Sequence, residues 1–384
     1  MTFDDKAYIG REQSKIKHFI LRNYLRDFGH KIGSKWDSIT YVDGFSGPWN
    51  DASNDLSDSS FAIALNELRN ARETYQRQGR NLRLRCVFLE KNKQAFSQLK
   101  QYADDIRDVE IFTKNNSFGN SIKDVLNFIA KDKNTFPFIF IDPMGWTGYA
   151  MDVIAPLIRQ EPCEVLINFM TDFIGRFIDG SESLGSFIRL FGSTDFRDRI
   201  AGLEPAGRID AIVDEYCRQL RDKGNYHYTC PAIVLRPDKA RTHYHLIYAT
   251  RHYKGVTTVF KNVEKRAMAT QEAARARVEQ TKRELGGQRD LLFSDEPPPS
   301  EYYRELRQRY LDKATDFWLS QLQINNQLAY DNAWEFGMAL PMVWESDLKD
   351  WIKLKDHPKI AIEGLAPGEK TAKFGKGHLL VWDE

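Results

Sequence analysis

Three acidic residues stand where hydrophobic runs stop. Asp43 ends the run Ser38–Asp43 and opens into Gly44-Phe45-Ser46-Gly47-Pro48; Glu90 ends CVFLE; Asp142 ends FIFID and is followed by Pro143. Small residues at 44 and 47 let backbone amides approach a ligand that a Cβ would hold off. An acid at the tip of the second strand can accept both hydroxyls of a ribose. The Asp142 carboxylate and the Pro143 carbonyl can hold the hydrogens of an amine and aim its lone pair, which is catalysis by positioning. Met144 and Trp146 follow at once and could pack against a splayed-out base. Each signal alone also reads as a plain turn or a solvated acid. Their order, at the ends of successive strands, favours a ligand site.

Those strands must be positioned by something. Apolar runs at 38–45, 82–89, 109–113, 136–141 and 164–169 alternate with helical patterns at 12–29, 59–77, 93–103, 121–130 and 150–158. That rhythm predicts an α/β fold: a Rossmann-like parallel sheet with helices on both faces. Residues 171–225 break it and read as a helical insertion. Runs at 228–235 and 244–250 read as a late hairpin, and 261–285 as a long exposed helix whose basic residues (Lys265, Arg266, Arg275, Arg277, Lys282, Arg283) could contact phosphates, though the interspersed glutamates favour a solvated face. The Gly- and Pro-containing stretch 286–300 reads as a linker. The predicted organisation is one domain over 1–285, the linker, and a winged-helix-like domain over 301–384, with helices at 301–328 and 345–355 before a terminal hairpin.

Composition narrows the function. Of 384 residues, 42% are hydrophobic and 28% charged, with a net charge of +1, so no global field draws the chain to nucleic acid or membrane. No apolar run reaches membrane-spanning length, and no signal-peptide core opens the sequence, so a cytoplasmic protein is expected. Cys86, Cys163, Cys217 and Cys230 are scattered without metal-ligand spacing, so no metal is predicted. GFSGPW is a poor match to the dinucleotide fingerprint. No nucleophile triad and no phosphate-loop lysine pattern can be assembled. Near the C-terminus, Lys370, Lys373, Lys376 and His378 with Phe374 between them form a candidate nucleic-acid surface, with Lys373 and Lys376 as substrate contacts. The turn 250–255, with Arg251, His252 and Lys254, could line the substrate side or be a polar loop.

Taken together, these segments resemble the three-Cys-motif partner (TcmP) family. The likeness is carried by Lys17, Tyr24, Leu25 and Phe28 on the first helix, by YVDGFSGPW, and by Ser59-Ser60. It continues through the strand ending at Glu90, IDPMG, and LIYATRH before a helix. It spans nearly the whole chain. It departs from the family at Trp49, where a glycine is usual, and at Ser59. The resemblance implies an S-adenosyl-L-methionine (SAM) methyltransferase with a winged-helix-like C-terminal domain and a radical-SAM-like three-Cys-motif partner. It places Asp43, Gly44, Phe45, Ser46 and Gly47 at the methionine end of the cofactor and Glu90 on its ribose. Asn115 to Phe118 would flank adenine, with Asn116 the polar contact, and Lys15 or Lys17 would reach the cofactor carboxylate. Asp142 and Pro143 would hold the acceptor. The leading expectation is methyl transfer to an exocyclic amine on a nucleic acid, RNA favoured. The alternatives are a protein or small-molecule acceptor presented by a partner, and a non-catalytic binding or regulatory module.

Overall fold

The strands at the centre of the sheet are buried almost throughout because both of their faces are covered. In the computed structural model, which describes residues 12–47, 56–236, 238–285, 300–353 and 359–382, β1 (Ser38–Asp43) and β5 (Glu164–Phe169) are buried at every position. With β2 (Arg83–Leu89), β3 (Glu110–Lys114), β4 (Thr135–Ile141), β6 (Tyr228–Leu235) and β7 (Thr242–Thr250) they form one sheet ordered β3-β2-β1-β4-β5-β7-β6. β1 pairs with both β2 and β4 in parallel, and β7 runs antiparallel to β5. The chain reverses direction across the sheet at β1 and β4, the place where open α/β sheets bind ligands.

Alternate residues of each strand feed two layers. On one face, Phe138 stacks on Tyr24 and Phe28 of α1 (Glu12–Gly33), and Phe88 meets Phe61 of α2 (Ser60–Arg77). On the other, Val42, Val87 and Ile139 join a core with Phe118 and Val125 of α4 (Phe118–Ala130) and with Ile154 and Leu157 of α5 (Met151–Ile158). α3 (Lys93–Asp104) connects β2 to β3. The expected insertion is four helices, α6 (Thr171–Phe177), α7 (Leu184–Phe191), α8 (Phe196–Ile200) and α9 (Pro205–Gly224), which bury Phe187, Phe191, Phe196 and Tyr216 in that second core. All four cysteines are buried free thiols.

After the one-turn α10 (Tyr253–Gly255) and a π-helical turn at Val256–Phe260 comes α11 (Lys261–Leu285). The described residues fall into two compact units, the first ending at Gly255, and the second running from Val256 onward with two short pieces near the β6–β7 hairpin. This moves α11 out of the first domain, where the sequence reading put it. The cause is a buried ion pair: Lys261 Nζ donates to Glu264 (2.8 Å) and to the Leu340 carbonyl (2.7 Å), and Glu264 accepts the Met342 amide (2.8 Å). Nor is the helix wholly solvated, since Arg275 is buried and Lys265 lies over the Trp344 ring. Beyond it come α12 (Glu301–Asn325), β8 (Gln327–Ala329), α13 (Tyr330–Ala339), α14 (Glu345–Ile352), β9 (Ile360–Glu363) and β10 (Leu379–Trp382), with β10 central in an antiparallel β8-β10-β9 sheet. The helix expected over 301–328 stops earlier because Asn326 turns left-handed (φ 56°), a favoured helix end for Asn. Most of the 286–300 linker lies outside the described residues.

Removing the Lys261 charge leaves the Glu264 carboxylate buried without its cation. Lys261→Met is therefore expected to destabilise the second unit by about 3–5 kcal/mol in denaturant unfolding. A loss below about 1 kcal/mol would mean the pair does not fasten α11.

Candidate functional site

All the strand-end residues singled out from the sequence gather at one edge of the sheet, the C-terminal edge of the parallel strands. Asp43 is completely buried. Its Oδ1 accepts the Phe45 amide (3.1 Å), and its Oδ2 accepts the hydroxyls of Ser60 and Tyr41. The carboxylate therefore shapes the turn after β1. Burial pushes its pKa up to about 6, against the hydrogen bonds from Ser60 and Phe45, with Asp142 adding repulsion. Ser46 is similarly committed: its hydroxyl donates to the Asp43 carbonyl (2.9 Å) and accepts the Leu89 amide (3.2 Å), while its own amide donates to the Leu89 carbonyl (2.8 Å). These bonds stitch the β1 turn to β2.

Gly44 is needed for a reason different from the one expected. A Cβ there would stand 2.8 Å from the Phe118 ring, so protein packing rather than ligand approach already demands glycine. Phe45 packs on the same ring, with centroids 5.6 Å apart. Gly47 is half-buried at the end of the described segment, and Trp49 lies outside the described residues. Ser59 caps α2 by accepting the Ala62 amide (3.3 Å), which gives the departure from glycine a local role.

Glu90 is buried just past β2, and burial raises its pKa. Its Oε1 accepts the Asn92 amide (2.5 Å). A carboxylate has about four acceptor positions, so this group retains capacity for donors such as ribose hydroxyls. Asn115 donates to the Glu90 carbonyl (2.8 Å), and Asn116 Oδ1 accepts the Ser117 amide (2.8 Å). Both side chains thus shape the β2 and β3 tips.

Asp142 is held on both oxygens. Lys17 Nζ donates to Oδ2 (2.5 Å) and Asn168 Nδ2 to Oδ1 (2.7 Å). Lys17 reaches it because residues 17, 21, 24 and 28 share one stripe of α1, and Leu21, Tyr24 and Phe28 are buried in the core. Asn168 reaches it because parallel register pairs Ile141 with Ile167. Asn168 went unremarked in the sequence, where its signal is a lone amide inside the buried run EVLINF; its Oδ1 is buried without a hydrogen-bond partner. Lys17, expected at a cofactor carboxylate, here pairs with Asp142. Lys15 is half-buried on the same helix.

Pro143 is buried, and Met144 is 70% exposed. Trp146 stacks on Phe187 (5.4 Å) and tilts on Phe177 (5.1 Å), so the helical insertion fixes its orientation. It lines a cleft of about 490 Å³ with Ser117, Asn120, Thr147, Glu182 and Arg189, a volume that suits a small ligand.

Two expected contacts move. The turn after β7 sits at the opposite edge, since β7 is antiparallel and Val165 pairs with Ala249. Arg251 there donates to the carbonyls of Ile158, Gln160, Cys163, Gly224 and Asn225, a structural clamp. In the second unit, His378 is buried and accepts the Lys373 amide (2.9 Å), and Phe374 packs on Trp334 (4.3 Å). Lys370, Lys373 and Lys376 remain exposed, with Lys373 paired to Glu369 (2.6 Å). Among the described residues no cluster of His, Cys, Asp and Glu could hold a metal ion, and no helix is long and apolar enough to cross a membrane.

No family model matches the chain, and no curated protein does. Among solved structures it is similar to a Legionella pneumophila protein assigned to family DUF519, at 11% identity over 67% of this chain and 91% of that one, with a TM-score of 0.39. It is similar also to a candidate methyltransferase from Thermobifida fusca (12%, covering 65% and 86%, TM-score 0.35). A third is a loganic acid methyltransferase with S-adenosylhomocysteine (8%, covering 73% and 88%, TM-score 0.30). At these scores the likeness is loose and assigns nothing to individual residues.

The buried Asp43 makes a pH prediction. A folded-state pKa of about 6 exceeds the ordinary 3.8, so the native state binds this proton more tightly. The associated stability is present at low pH and is lost as pH rises through that window. Asn at this position cannot ionise. The stability of wild type relative to Asp43→Asn should fall by about 3 kcal/mol between roughly pH 4 and pH 7, measured by denaturant unfolding. A flat difference would contradict the buried-acid assignment.

Proposed function

We propose that the chain is a SAM-dependent methyltransferase acting on an exocyclic amine of a nucleic acid, with RNA favoured. The observation that carries this reading is the ordered set of polar groups at the C-terminal ends of β1 to β5, on a sheet whose strand order reverses between Asp43 and Asp142. The retained acceptor capacity of Glu90 fits an adenosine ribose, and the turn at Gly44–Gly47 with Asn116 would flank the rest of the cofactor. When bound, SAM supplies an electrophilic methyl group.

The chain's own part is to orient and to hold hydrogens. Lys17 and Asn168 each occupy one lone pair of Asp142 and fix its carboxylate plane. A remaining lone pair on that carboxylate, with the Pro143 carbonyl, can accept the hydrogens of an amine and present its lone pair in one direction. The proton lost on methylation can rest on Asp142 before passing to solvent. Trp146 and Met144 would contact the base, and Lys373 and Lys376, in the winged-helix-like second unit, another part of the substrate. The likeness to the three-Cys-motif partner family adds a radical-SAM-like protein as partner.

One feature favours a non-catalytic module instead: the Phe118 ring over Gly44 and the internally spent Ser46 make the β1 turn self-sufficient. Turnover decides between the two. Incubation with methyl-tritiated SAM should label total RNA, and Asp142→Ala should reduce the label about 100-fold or more. Label in neither RNA nor DNA would refute the nucleic-acid reading, and label that survives Asp142→Ala would refute the role given to that residue.

A further inference from the structure

At the tips of β2, β3 and β5 the amide side chains are spent inside the protein. Asn115 donates to the Glu90 carbonyl, Asn116 accepts the Ser117 amide, and Asn168 donates to Asp142. The cleft of about 490 Å³ that starts at Trp146, four residues past Asp142, is different. Its floor is the segment Trp146–Val153, one wall is the start of α4, and the other runs from Glu182 through α7. α5 packs on both α4 and α7. The Asn120 amide, the Thr147 and Ser186 hydroxyls and the Glu182 carboxylate all border this space, and none is hydrogen-bonded to another described residue. Arg189 has one loose neighbour, Asp152, at 4.0 Å. Trp146 Nε1 is a buried donor without an acceptor among the described residues, while Phe187 and Phe177 hold its ring. Gly185 leaves the α7 wall bare, since a Cβ there would meet nothing within 4 Å.

A concave site with a fixed aromatic ring in its floor and unspent donors and acceptors on its walls suits a flat heterocycle with polar edges, which describes a nucleobase. The charged pair on the α7 wall selects among bases. An ionised carboxylate only accepts and a guanidinium only donates, and each does so through paired positions. Guanine presents two adjacent donors, N1–H and the N2 amine, on one edge, and two acceptors, O6 and N7, on another. Glu182 matches the first pair and Arg189 the second. Adenine sets its N6 donor between the acceptors N1 and N7, so neither charged group finds a pair there. The same mismatch argues against the adenine of the cofactor as occupant. A guanine whose N2 amine is held by Glu182 is not the base presented to Asp142, so it is a neighbour of that base in the strand.

We propose that the cleft between α4, α5 and α7 reads a guanine of the RNA substrate beside the nucleotide that receives the methyl group, with Glu182 accepting from N1–H and the N2 amine and Arg189 donating to O6 and N7. This rests on the nucleic-acid reading of the substrate and extends it to a sequence preference. Glu182 and Arg189 are the specificity residues, and Trp146 is the surface against which the base lies.

The test is fluorescence anisotropy of a labelled oligouridine carrying one central guanosine, adenosine or inosine, titrated with the full chain. Wild type should bind the guanosine strand about 10-fold more tightly than the adenosine strand, with inosine, which lacks the N2 amine, in between. Glu182→Gln should erase the difference between guanosine and inosine, and Arg189→Gln should bring guanosine down toward adenosine. Gly185→Leu, which fills open space in the cleft, should abolish the guanosine preference while leaving calorimetric SAM binding unchanged. Thermal unfolding followed by circular dichroism reports that each variant is folded, and the two single polar variants carry the test if Gly185→Leu is not. Four results overturn the proposal: no RNA binding by wild type, no preference for guanosine, a preference that survives both Glu182→Gln and Arg189→Gln, or loss of SAM binding in folded Gly185→Leu, which would give the cleft to the cofactor. Methyl labelling is read separately. Labelled RNA without a guanosine preference sinks the base reading alone. A guanosine preference that the variants remove, with no labelled nucleic acid from wild type, sinks the methyl-transfer reading alone.

Discussion

Two acids sit side by side at the edge of neighbouring parallel strands, and the site depends on how their repulsion is resolved. Register places Asp43 at the end of β1 against Phe140, and Asp142, which follows the last residue of β4, is near enough to repel it. Like charges at short range repel, and the protein gives the buried Asp43 and the partly buried Asp142 different surroundings. Asp142 receives a cation, Lys17, and an amide, Asn168. Asp43 receives only neutral donors, from Tyr41, Phe45 and Ser60, and its pKa rises to about 6. Asp142 is thereby held in a fixed orientation. The other is free to take a proton and devotes itself to the turn.

That division explains much of the surrounding architecture. α1 must lie across β4 to bring Lys17 over the edge, and the stacking of Tyr24 and Phe28 on Phe138 secures it there. β5 must run parallel to β4 in register to present Asn168, and the chain that follows it supplies both the aromatic support of Trp146 and the α7 wall of the cleft. The insertion is accordingly part of the site's wall as well as part of the core.

Much of this was legible in the sequence. β5 and β6 have the bounds expected of them because burial on both faces requires unbroken apolar runs, and such runs have sharp ends. Other features depend on pairing across the chain and leave only faint local signals. Gly44 reads as a ligand turn until the Phe118 ring is seen against it. The 250–255 turn, open in the sequence between the substrate side and a polar loop, lies at the opposite edge because β7 runs antiparallel to β5, a direction that only the pairing reveals. The helix expected over 301–328 ran into β8, since a three-residue strand has no period to detect, while the Asn325-Asn326 stop signal was present; α13 was not anticipated. Asn168 meets Asp142 only through strand register.

The central claim is that this edge of the sheet holds an adenosine-based methyl donor through Glu90. Its most direct test is calorimetric titration of SAM and of its demethylated product into wild type and into Glu90→Ala. The account predicts binding near the micromolar range, about −8 kcal/mol, for wild type, weakened about 10-fold or more by the substitution. Wild-type protein that binds neither compound, or binding that Glu90→Ala leaves untouched, would contradict it.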